Sequence, residues 1–406
     1  MNSISDFLTA SHAALLSDLA ALVNVDCGSH NKAGVDQVGE WIGARCAAWD
    51  WEVERFRLAE HGDCWLARLL GKGAGRLLLM GHLDTVYPDG TAAARPMRFE
   101  GPKIIGPGVC DMKGGLLVGM YALRALQIAG FRDFEEIVFF FNSDEELGSP
   151  GSRPLYESRA SGMDAALVLE SARANGDIVS ARKGSGEFLL RVTGKAAHAG
   201  VEPEKGANAV VELAHQILAL KALNGLAPGV TVNPDVIGGG TVANVIPAEA
   251  WVTVDVRAVD PTGADAITQA LTHLPTQTTL PGTRVEVHGN FSYPPMARTL
   301  AIGLLVNLAR DSARELGFEI NDVATGGASD ANVLASLGVP VLDGLGPIGG
   351  LDHSPDEYIE ADSLVPRAAM VAGLIQRILS KTKLNELRKL IYRVPHTSGV
   401  IKPLFW

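Results

Sequence analysis

Histidine and carboxylate side chains follow several apolar runs of this sequence, where they could bind a metal ion. The first apolar run, residues 77–80, is followed by His82 and Asp84. Side chains alternate along a strand, so both residues are expected on one side of its C-terminal end, where open α/β sheets bind ligands. This arrangement suits a metal-binding histidine oriented by a carboxylate. An isolated pair would more often form a hydrogen bond that caps the strand.

Two acidic segments carry further candidate ligands. Asp111 lies in the glycine-rich segment 106–115, where an aspartate at a helix start is ordinarily an N-cap. The acidic run 144–146 directly follows a strongly apolar segment that is predicted to be a buried strand. Adjacent carboxylates at the end of a buried strand repel one another unless a cation compensates them, which favours a metal ion.

Two more candidates complete the set. Glu170 ends the apolar run 165–169, and His353 lies in a glycine-rich loop after a predicted strand at 339–343. Two histidines and three carboxylates at strand ends or in adjacent loops are the ligands that two zinc ions with one shared carboxylate would need. The predicted ligands are His82, Asp111, Glu170, His353 and a carboxylate of the run 144–146.

Composition limits the classes of protein and partner. The chain has 406 residues, with 47% apolar residues and a net charge of −11 from 35 basic and 46 acidic side chains. These values predict a globular protein that binds neither nucleic acid nor an anionic membrane. The four cysteines form no C-x-x-C pair, and the N-terminus has no basic signal-peptide region. We therefore expect reduced thiols, a cytoplasmic location and, with apolar runs far shorter than about 20 residues, no membrane span.

The elements that must position these residues alternate between strands and helices, which predicts an α/β domain with a mixed sheet. The glycine-rich segment 71–75 is interpreted as a hairpin turn before the strand that precedes His82. Around Arg182 the pattern changes to amphipathic strands and a helix, which predicts an inserted α+β domain. The predicted division is catalytic domain 1–182, inserted domain 183–292, catalytic domain 293–382 and a basic tail 383–406, either vector-derived or a native helix docked on the body.

From about residue 15 to residue 380, the sequence resembles the zinc-dependent aminoacylases, acetylornithine deacetylases and glutamate carboxypeptidases, most closely the folate-cleaving glutamate carboxypeptidases. The motifs that carry the resemblance are G-H-L-D-T-V, G-P-G-V-C-D-M-K-G-G, N-S-D-E-E-L-G-S, the glutamate ending A-L-V-L-E, and D-H-S-P-D-E. The resemblance implies a co-catalytic two-zinc metallopeptidase fold with an inserted lid domain through which many members dimerise.

The resemblance also implies a role for each candidate residue. One zinc would be held by His82, Asp111 and Glu170, and the other by Asp111, Glu146 and His353, so that Asp111 bridges the pair. Glu145 would be the general base, and Asp84 the carboxylate behind His82. A cis peptide would join Asp111 to Met112. Cobalt or manganese could replace zinc.

Within the lid, the resemblance implies residues that contact substrate. His198 would polarise the substrate carbonyl, typically in the partner subunit's site, while Asn244 and Arg257 would receive the substrate carboxylate. Thr325, Gly326 and Gly327 would line the same pocket from the catalytic domain. From their positions in the sequence alone, His198 and Asn244 would have been interpreted as core or turn residues.

One departure concerns the substrate. Members that release glutamate carry an arginine near the end of the lid, just before a proline, but the segment 289–295 has none. We therefore expect cleavage of an N-acyl amino acid or a C-terminal amino acid with a neutral side chain, selected by Phe291 and Tyr293, unless Arg298 replaces the missing arginine.

Other functions remain open. A dipeptidase on the same scaffold, and a homologue that binds amino-acid derivatives without catalysis, are the alternatives. A serine hydrolase and a mononuclear zincin are disfavoured because the sequence has neither G-x-S-x-G nor H-E-x-x-H.

Overall fold

Helices and strands alternate along the chain in a computed structural model that describes residues 2–276 and 278–391. The helices are α1 (Asn2–Ala10), α2 (His12–Val23), α3 (Lys32–Ala48), α4 (Thr91–Ala94), α5 (Gly114–Ile128), α6 (Arg153–Ala160), α7 (Ala209–Ala222), α8 (Pro261–His273), α9 (Leu300–Glu315), α10 (Asp330–Ser336), α11 (Leu364–Leu379) and α12 (Lys381–Ile391). The strands are β1 (Glu52–Phe56), β2 (Cys64–Leu70), β3 (Arg76–His82), β4 (Arg98–Glu100), β5 (Lys103–Ile105), β6 (Glu136–Asn142), β7 (Ala165–Val168), β8 (Ile178–Arg182), β9 (Gly184–Thr193), β10 (Thr231–Gly239), β11 (Glu249–Ala258), β12 (Arg284–Tyr293), β13 (Asp322–Thr325), β14 (Val341–Leu342), β15 (Gly349–Gly350) and β16 (Tyr358–Glu360).

The described residues form two compact units. Unit 1 contains the chain up to Ser180, Arg298–Val323 and the chain from Leu337 onward. Unit 2 contains Ala181–Ala297 and Ala324–Ser336. The assignment of unit 2 as a lid and dimerisation domain stays a prediction.

Unit 1 is built on a six-stranded mixed sheet in the order β1-β2-β6-β3-β7-β14. The strands β6, β3, β7 and β14 run parallel, while β1 and β2 pair antiparallel at one side. This is the mixed α/β sheet that the sequence predicts. The nearly continuous apolar sequences of β3 and β6 are buried, as expected for strands covered on both faces.

The predicted hairpin at residues 71–75 is wrong. Strand β6 lies between β2 and β3, so these consecutive strands are not paired. The connecting segment instead binds the chain before β6, because the amides of Lys72 and Gly73 donate to the carbonyls of Arg132 and Phe134. A glycine-rich turn between two apolar runs cannot by itself reveal that a later strand inserts between them.

Helix α5 is buried along most of its length and follows the Asp111 segment directly. Two glycines let it lie close to the sheet. A Cβ on Gly115 would stand 1.9 Å from the carbonyl oxygen of Leu169, and one on Gly119 would stand 2.7 Å from the ring of Phe139. This close packing fixes the start of α5, and with it Asp111, against the ends of β6 and β7.

The start of the basic tail is helical. Helix α12 packs on α9 and α11, with Leu384 and Leu387 buried. Arg388 forms two hydrogen bonds with Asp164, which also accepts the amide of Arg76. Up to Ile391 the chain therefore forms a docked helix, whereas residues 392–406 of the predicted tail lie outside the described residues.

Unit 2 contains a four-stranded antiparallel sheet in the order β10-β11-β9-β12. Alternate residues of β9 and β11 are buried, as the sequence pattern predicts. Leu213 of α7 and Ile267 of α8 share the apolar core with these buried strand residues. Helix α7 contacts β10, β11 and β9, and α8 contacts β11 and β12.

In the described part of the chain, no single helix meets the length and apolarity of a membrane span. The bent pair Ser3–Ala10 and His12–Val23 meets them only when the two helices are taken together.

Candidate metal centre

The predicted ligands gather at the C-terminal edge of the parallel strands in unit 1. His82 is the last residue of β3 and pairs with Asn142, the last residue of β6. The amide of Leu169 donates to the carbonyl of Met80, so the chain carrying Glu170 leaves the sheet beside the end of β3. Parallel register therefore brings together residues that are distant in sequence.

Asp111 stands between the two histidines and presents one oxygen to each. Its Oδ1 lies 2.8 Å from His82 Nε2, and its Oδ2 lies 3.1 Å from His353 Nε2. Glu170 Oε1 lies 3.7 Å from His82 Nε2, and Glu146 Oε2 lies 3.3 Å from His353 Nε2. The five side chains thus divide into two groups that share Asp111.

The spacing and chemistry of the donor set fit a metal centre. Tetrahedral zinc with ligand bonds of about 2.0–2.1 Å separates its donor atoms by about 3.3 Å, close to the contacts in both groups. Ligand atoms of His82, Asp111 and Glu146 all lie within 4.8 Å of one another. Glu146 Oε1 is buried and has no hydrogen-bond partner among the described residues. A buried carboxylate oxygen without a donor is what a cation would satisfy.

The electrostatics of this cluster are dominated by negative charge. Hydrogen bonds to Asp111 and Glu146 raise the pKa of His353 to about 11. Burial opposes protonation of His82, but Asp111 and Asp84 still raise its pKa well above the usual value. Burial likewise opposes ionisation of Asp111, yet the two histidines hold its pKa below the usual range. Burial raises the pKa of Glu146. These shifts indicate excess negative charge, which a divalent cation can neutralise.

Asp84 supports the centre through both its main chain and its side chain. His82 Nδ1 donates to the main-chain oxygen of Asp84 at 3.0 Å, so Nε2 is the ring nitrogen that is directed at Asp111. The Asp84 carboxylate is fully buried and accepts the Ser29 hydroxyl at 2.7 Å and the amides of Glu145 and Glu146 at 3.2 Å. Asp84 therefore holds a candidate ligand through its main-chain oxygen and the turn that carries the acidic pair through its carboxylate.

The three members of the acidic run differ in their surroundings. Asp144 is fully buried and accepts hydrogen bonds from the amide of Gly151 and the hydroxyl of Ser152, so it supports the following loop. Glu145 and Glu146 are partly buried in a short 3-10 turn, Glu145–Leu147. Their sequence does not distinguish these environments, because all three are acidic residues after the same strand.

His353 reaches the centre from a different place than expected. It lies between β15 and β16 of a separate four-stranded sheet, β15-β16-β5-β4, rather than directly after the strand of the main sheet. Its backbone is left-handed, with φ of 62°, and its side chain is half exposed. The peptide between Asp111 and Met112 is cis, as the resemblance implied.

Sequence reasoning assigned no role to Glu357, which is buried and accepts the amides of Gly108, Cys110 and Asp111. Its only signal in the sequence is its place at the end of the quoted motif D-H-S-P-D-E, four residues after His353.

The predicted substrate-binding residues His198, Asn244 and Arg257 lie in two separate places on unit 2. His198 forms an antiparallel bridge with Val245, and the amide of Ala199 donates to the carbonyl of Asn244, so His198 and Asn244 are neighbours. Both side chains are exposed. Arg257 lies near the opposite end of β11, where it forms two hydrogen bonds with Asp255 at 2.7 and 2.9 Å.

The remaining substrate candidates also have partners. The carbonyl of Thr325 accepts the amide of Lys183, and that of Gly327 accepts a guanidinium hydrogen of Arg182; Gly326 lies between them. Phe291 packs edge-on against Phe188 in the unit 2 core.

Arg298, the candidate replacement for the missing arginine, is bound to Asp322 at 2.7 Å in unit 1. Asp322 also accepts hydrogen bonds from Arg310 and from the hydroxyl of Ser180.

Known proteins are similar to this chain in sequence and in fold. A family model described as peptidase family M20/M25/M40 matches residues 78–377. Carboxypeptidase G2 of Pseudomonas sp. (strain RS-16) is 34% identical over 379 residues, which cover 92% of this chain and 91% of that protein. Aminopeptidase PepT of Bacillus cereus has a TM-score of 0.75 at 23% identity and matches 90% of this chain and 98% of its own. YxeP of Bacillus subtilis, described as a dinuclear metal-binding peptidase, has a TM-score of 0.68 at 16% identity and matches 92% of this chain and 99% of its own.

Proposed function

The chain belongs to peptidase family M20/M25/M40 and is a metallohydrolase, and from this premise we propose that it hydrolyses the amide bond of an N-acyl amino acid or of a C-terminal amino acid with two zinc ions. The observation that carries the proposal is the position of Asp111, whose two carboxylate oxygens face His82 and His353 respectively. A single shared carboxylate between two ligand groups is the arrangement that two metal ions require.

His82, Asp111 and Glu170 would hold one ion, and Asp111, Glu146 and His353 the other. When bound, the two ions polarise the scissile carbonyl and make the attacking water more acidic. Glu145 takes the proton of that water and delivers it to the departing amine. Asp84 would support this transfer because its carboxylate accepts the amides of Glu145 and Glu146. These hydrogen bonds hold the proposed general base, Glu145, at a fixed position relative to the proposed ligand, Glu146.

The substrate would be recognised through unit 2. His198 donates a hydrogen bond to the substrate carbonyl oxygen, where negative charge develops. Arg257 and Asn244 receive the free carboxylate, and the segment Thr325 to Gly327 lines the same pocket. Because Arg257 is already paired with Asp255, the substrate carboxylate must share that guanidinium or displace Asp255.

The two groups of lid residues favour a site completed by a second copy of the chain. On strand β11, Arg257 lies eight positions after Glu249, a distance of about 26 Å at about 3.3 Å per residue. His198 and Asn244 lie beyond the Glu249 end, because the amide of Gly194 donates to the carbonyl of Ala248, next to Glu249. That separation exceeds the length of an N-acyl amino acid. We therefore assign His198 and its neighbour Asn244 to the partner subunit's site, where they would act together with Arg257 of the partner subunit.

The surface of unit 2 offers a place for that second copy. Strand β10 is an edge strand on which Val236 and Ile237 are 54% and 61% exposed. Helix α7 contacts β10 and exposes Leu218 by 64%. An apolar edge strand beside an apolar helix face is expected to be covered by a partner.

The proposal is tested with protein stripped by a chelator and reloaded with zinc, cobalt or manganese. We expect two metal ions per chain and metal-dependent release of free amino acid from a panel of N-acyl amino acids and dipeptides. The set of compounds that is cleaved distinguishes aminoacylase or carboxypeptidase activity from dipeptidase activity. The variant Glu145→Gln is the control for metal binding without turnover.

Two outcomes contradict the proposal. One ion per chain in fully loaded protein, with His353→Ala leaving that number unchanged, would refute the two-metal centre. Protein that holds two ions, binds members of the panel and hydrolyses none would instead support the alternative function, a binding homologue without catalysis.

A further inference from the structure

The carboxylate of Glu357 occupies a nest of main-chain amides directly before Asp111. The side chain is buried, with 1% of its residue surface exposed. Its Oε1 accepts the amides of Cys110 and Asp111 at 2.7 and 2.9 Å. Its Oε2 accepts the amide of Gly108 at 3.0 Å and the hydroxyl of Tyr87 at 2.6 Å. Both oxygens are therefore fully used by donors of unit 1.

The amides converge because the backbone before Asp111 is irregular. Gly108 has a left-handed φ of 71°, and Asp111 has non-helical angles of −116° and 93°. Successive amides in such a conformation point into one concavity and favour an anion. Without Glu357, three buried N–H groups would lose their acceptor, and no regular helix or strand would hold them in place.

Two neighbours strengthen this attachment. The Tyr87 hydroxyl contacts both Glu357 and the carbonyl of Ser354, which follows His353. Lys113 is buried on the other side of Asp111 and donates to the carbonyls of Val25 and Pro107. The segment that carries the shared ligand is thus tied to the His353 loop at one point and to the N-terminal part of unit 1 at another.

We propose that Glu357, held by Tyr87, is a positioning residue that sets the Asp111 carboxylate between the two ligand groups and so determines the affinity and geometry of the metal pair. The inference rests on the proposed two-metal function. It concerns a residue outside the ligand set, which acts through main-chain amides. A carboxylate is required, because an amide side chain would direct an N–H group at atoms that are themselves donors.

The test compares Glu357→Gln with Glu212→Gln. Glu212 is a matched control, since it is also fully buried and accepts two amides, those of Thr279 and Leu280, but in unit 2. Zinc affinity is measured by competition with a chromophoric chelator. The ligand geometry is followed by the visible absorption of the cobalt-loaded protein, and folding by thermal denaturation without metal.

We expect Glu357→Gln to weaken zinc binding by about 10–100-fold and to alter the cobalt spectrum, as for other residues that orient metal ligands. Tyr87→Phe, which leaves all three amides bound, should weaken binding less and in the same direction. Glu212→Gln should lower the denaturation temperature and leave both metal readouts unchanged.

Wild-type zinc affinity and an unchanged cobalt spectrum in Glu357→Gln would overturn the inference, as would an equal loss in Glu212→Gln. If Glu357→Gln does not fold, Tyr87→Phe decides, and wild-type metal readouts in that variant would overturn it. The proposed function fails separately, when the metal-loaded wild type cleaves no substrate although the Glu357 effect on metal affinity is present.

Discussion

Asp111 is the residue that contacts both histidines of the candidate metal centre. Each of its oxygens faces one histidine, each histidine faces one further carboxylate, and the amide of Asp111 itself is bound by Glu357. Adjacent residues can therefore have separate tasks. In the acidic run, Asp144 supports a loop and Glu146 faces His353, while Glu145 is the residue that we propose for proton transfer.

At the scale of single residues, we predict different outcomes for substitutions of Glu145 and of its neighbour Glu146. Glu145→Gln should keep both metal ions and lose at least about 100-fold in kcat, because it removes a general base but no ligand. Glu146→Gln should lose one metal ion, because it replaces a charged ligand. Metal analysis and steady-state kinetics on the same preparations check both outcomes. Loss of metal from Glu145→Gln alone would mean that the two roles are exchanged.

At the scale of elements, the centre depends on strands whose ends coincide. Strand β3 lies between β6 and β7, and the C-terminal ends of all three supply or precede ligands. The opposite ends of β3 and β7 are braced by α12, whose Arg388 binds Asp164 next to the start of β7. Helix α12 is thus a part of unit 1, although its composition differs from that of the rest of the chain.

We predict that α12 contributes to the stability of unit 1 through its two buried leucines. The double variant Leu384→Ala/Leu387→Ala should reduce the free energy of unfolding by about 4 kcal/mol, from about 2 kcal/mol for each truncated side chain. Lys381→Ala/Lys389→Ala, at two exposed positions of the same helix, is the matched control. Urea denaturation measures both, and equal stability of the two double variants would show that α12 is not docked in solution.

At the scale of the whole molecule, the proposed substrate-binding roles of His198, Asn244 and Arg257 would require a second chain to complete each site. His198 and Asn244 lie together, but the length of β11 separates them from Arg257. A dimer through unit 2 would allow one chain to supply Arg257 and the other chain to supply His198 and Asn244 to the same site.

This arrangement predicts complementation between inactive chains. His198→Ala and Glu145→Gln homodimers should each be inactive, whereas a mixture that exchanges subunits should recover activity, since one hybrid site then contains both wild-type groups. Activity is measured after subunit exchange has been demonstrated with differently tagged chains. No recovery would place His198 in the site of its own chain or outside catalysis.

The final prediction concerns selectivity. No arginine lies in the segment 289–295, and Arg298 is paired with Asp322, so an acidic substrate side chain would lack a free cationic partner there. Burying an unpaired carboxylate is costly, and we expect N-acyl derivatives of neutral amino acids to be cleaved with kcat/KM at least about tenfold above those of glutamate or aspartate. Parallel assays at equal metal loading provide the comparison. A preference for glutamate would show that another cation serves the side chain.

The family and the alternation of helices and strands could be predicted from the amino-acid sequence. His82, Asp111, Glu170 and His353 could be named as candidate ligands because motif spacing and strand ends are local properties of the chain, and the resemblance selected Glu146 from the acidic run. The amphipathic strands of unit 2 were predictable for the same reason, since alternate burial is encoded residue by residue.

The sequence could not show which residues face one another in the folded chain. Strand β6 inserts between β2 and β3, and His353 arrives from a second sheet; both depend on pairings between distant segments. Glu357 illustrates the limit most clearly, because its partners are main-chain amides about which side-chain identity carries no information. Sequence patterns record what each side chain can bind, whereas the position of its partner depends on long-range packing of the backbone.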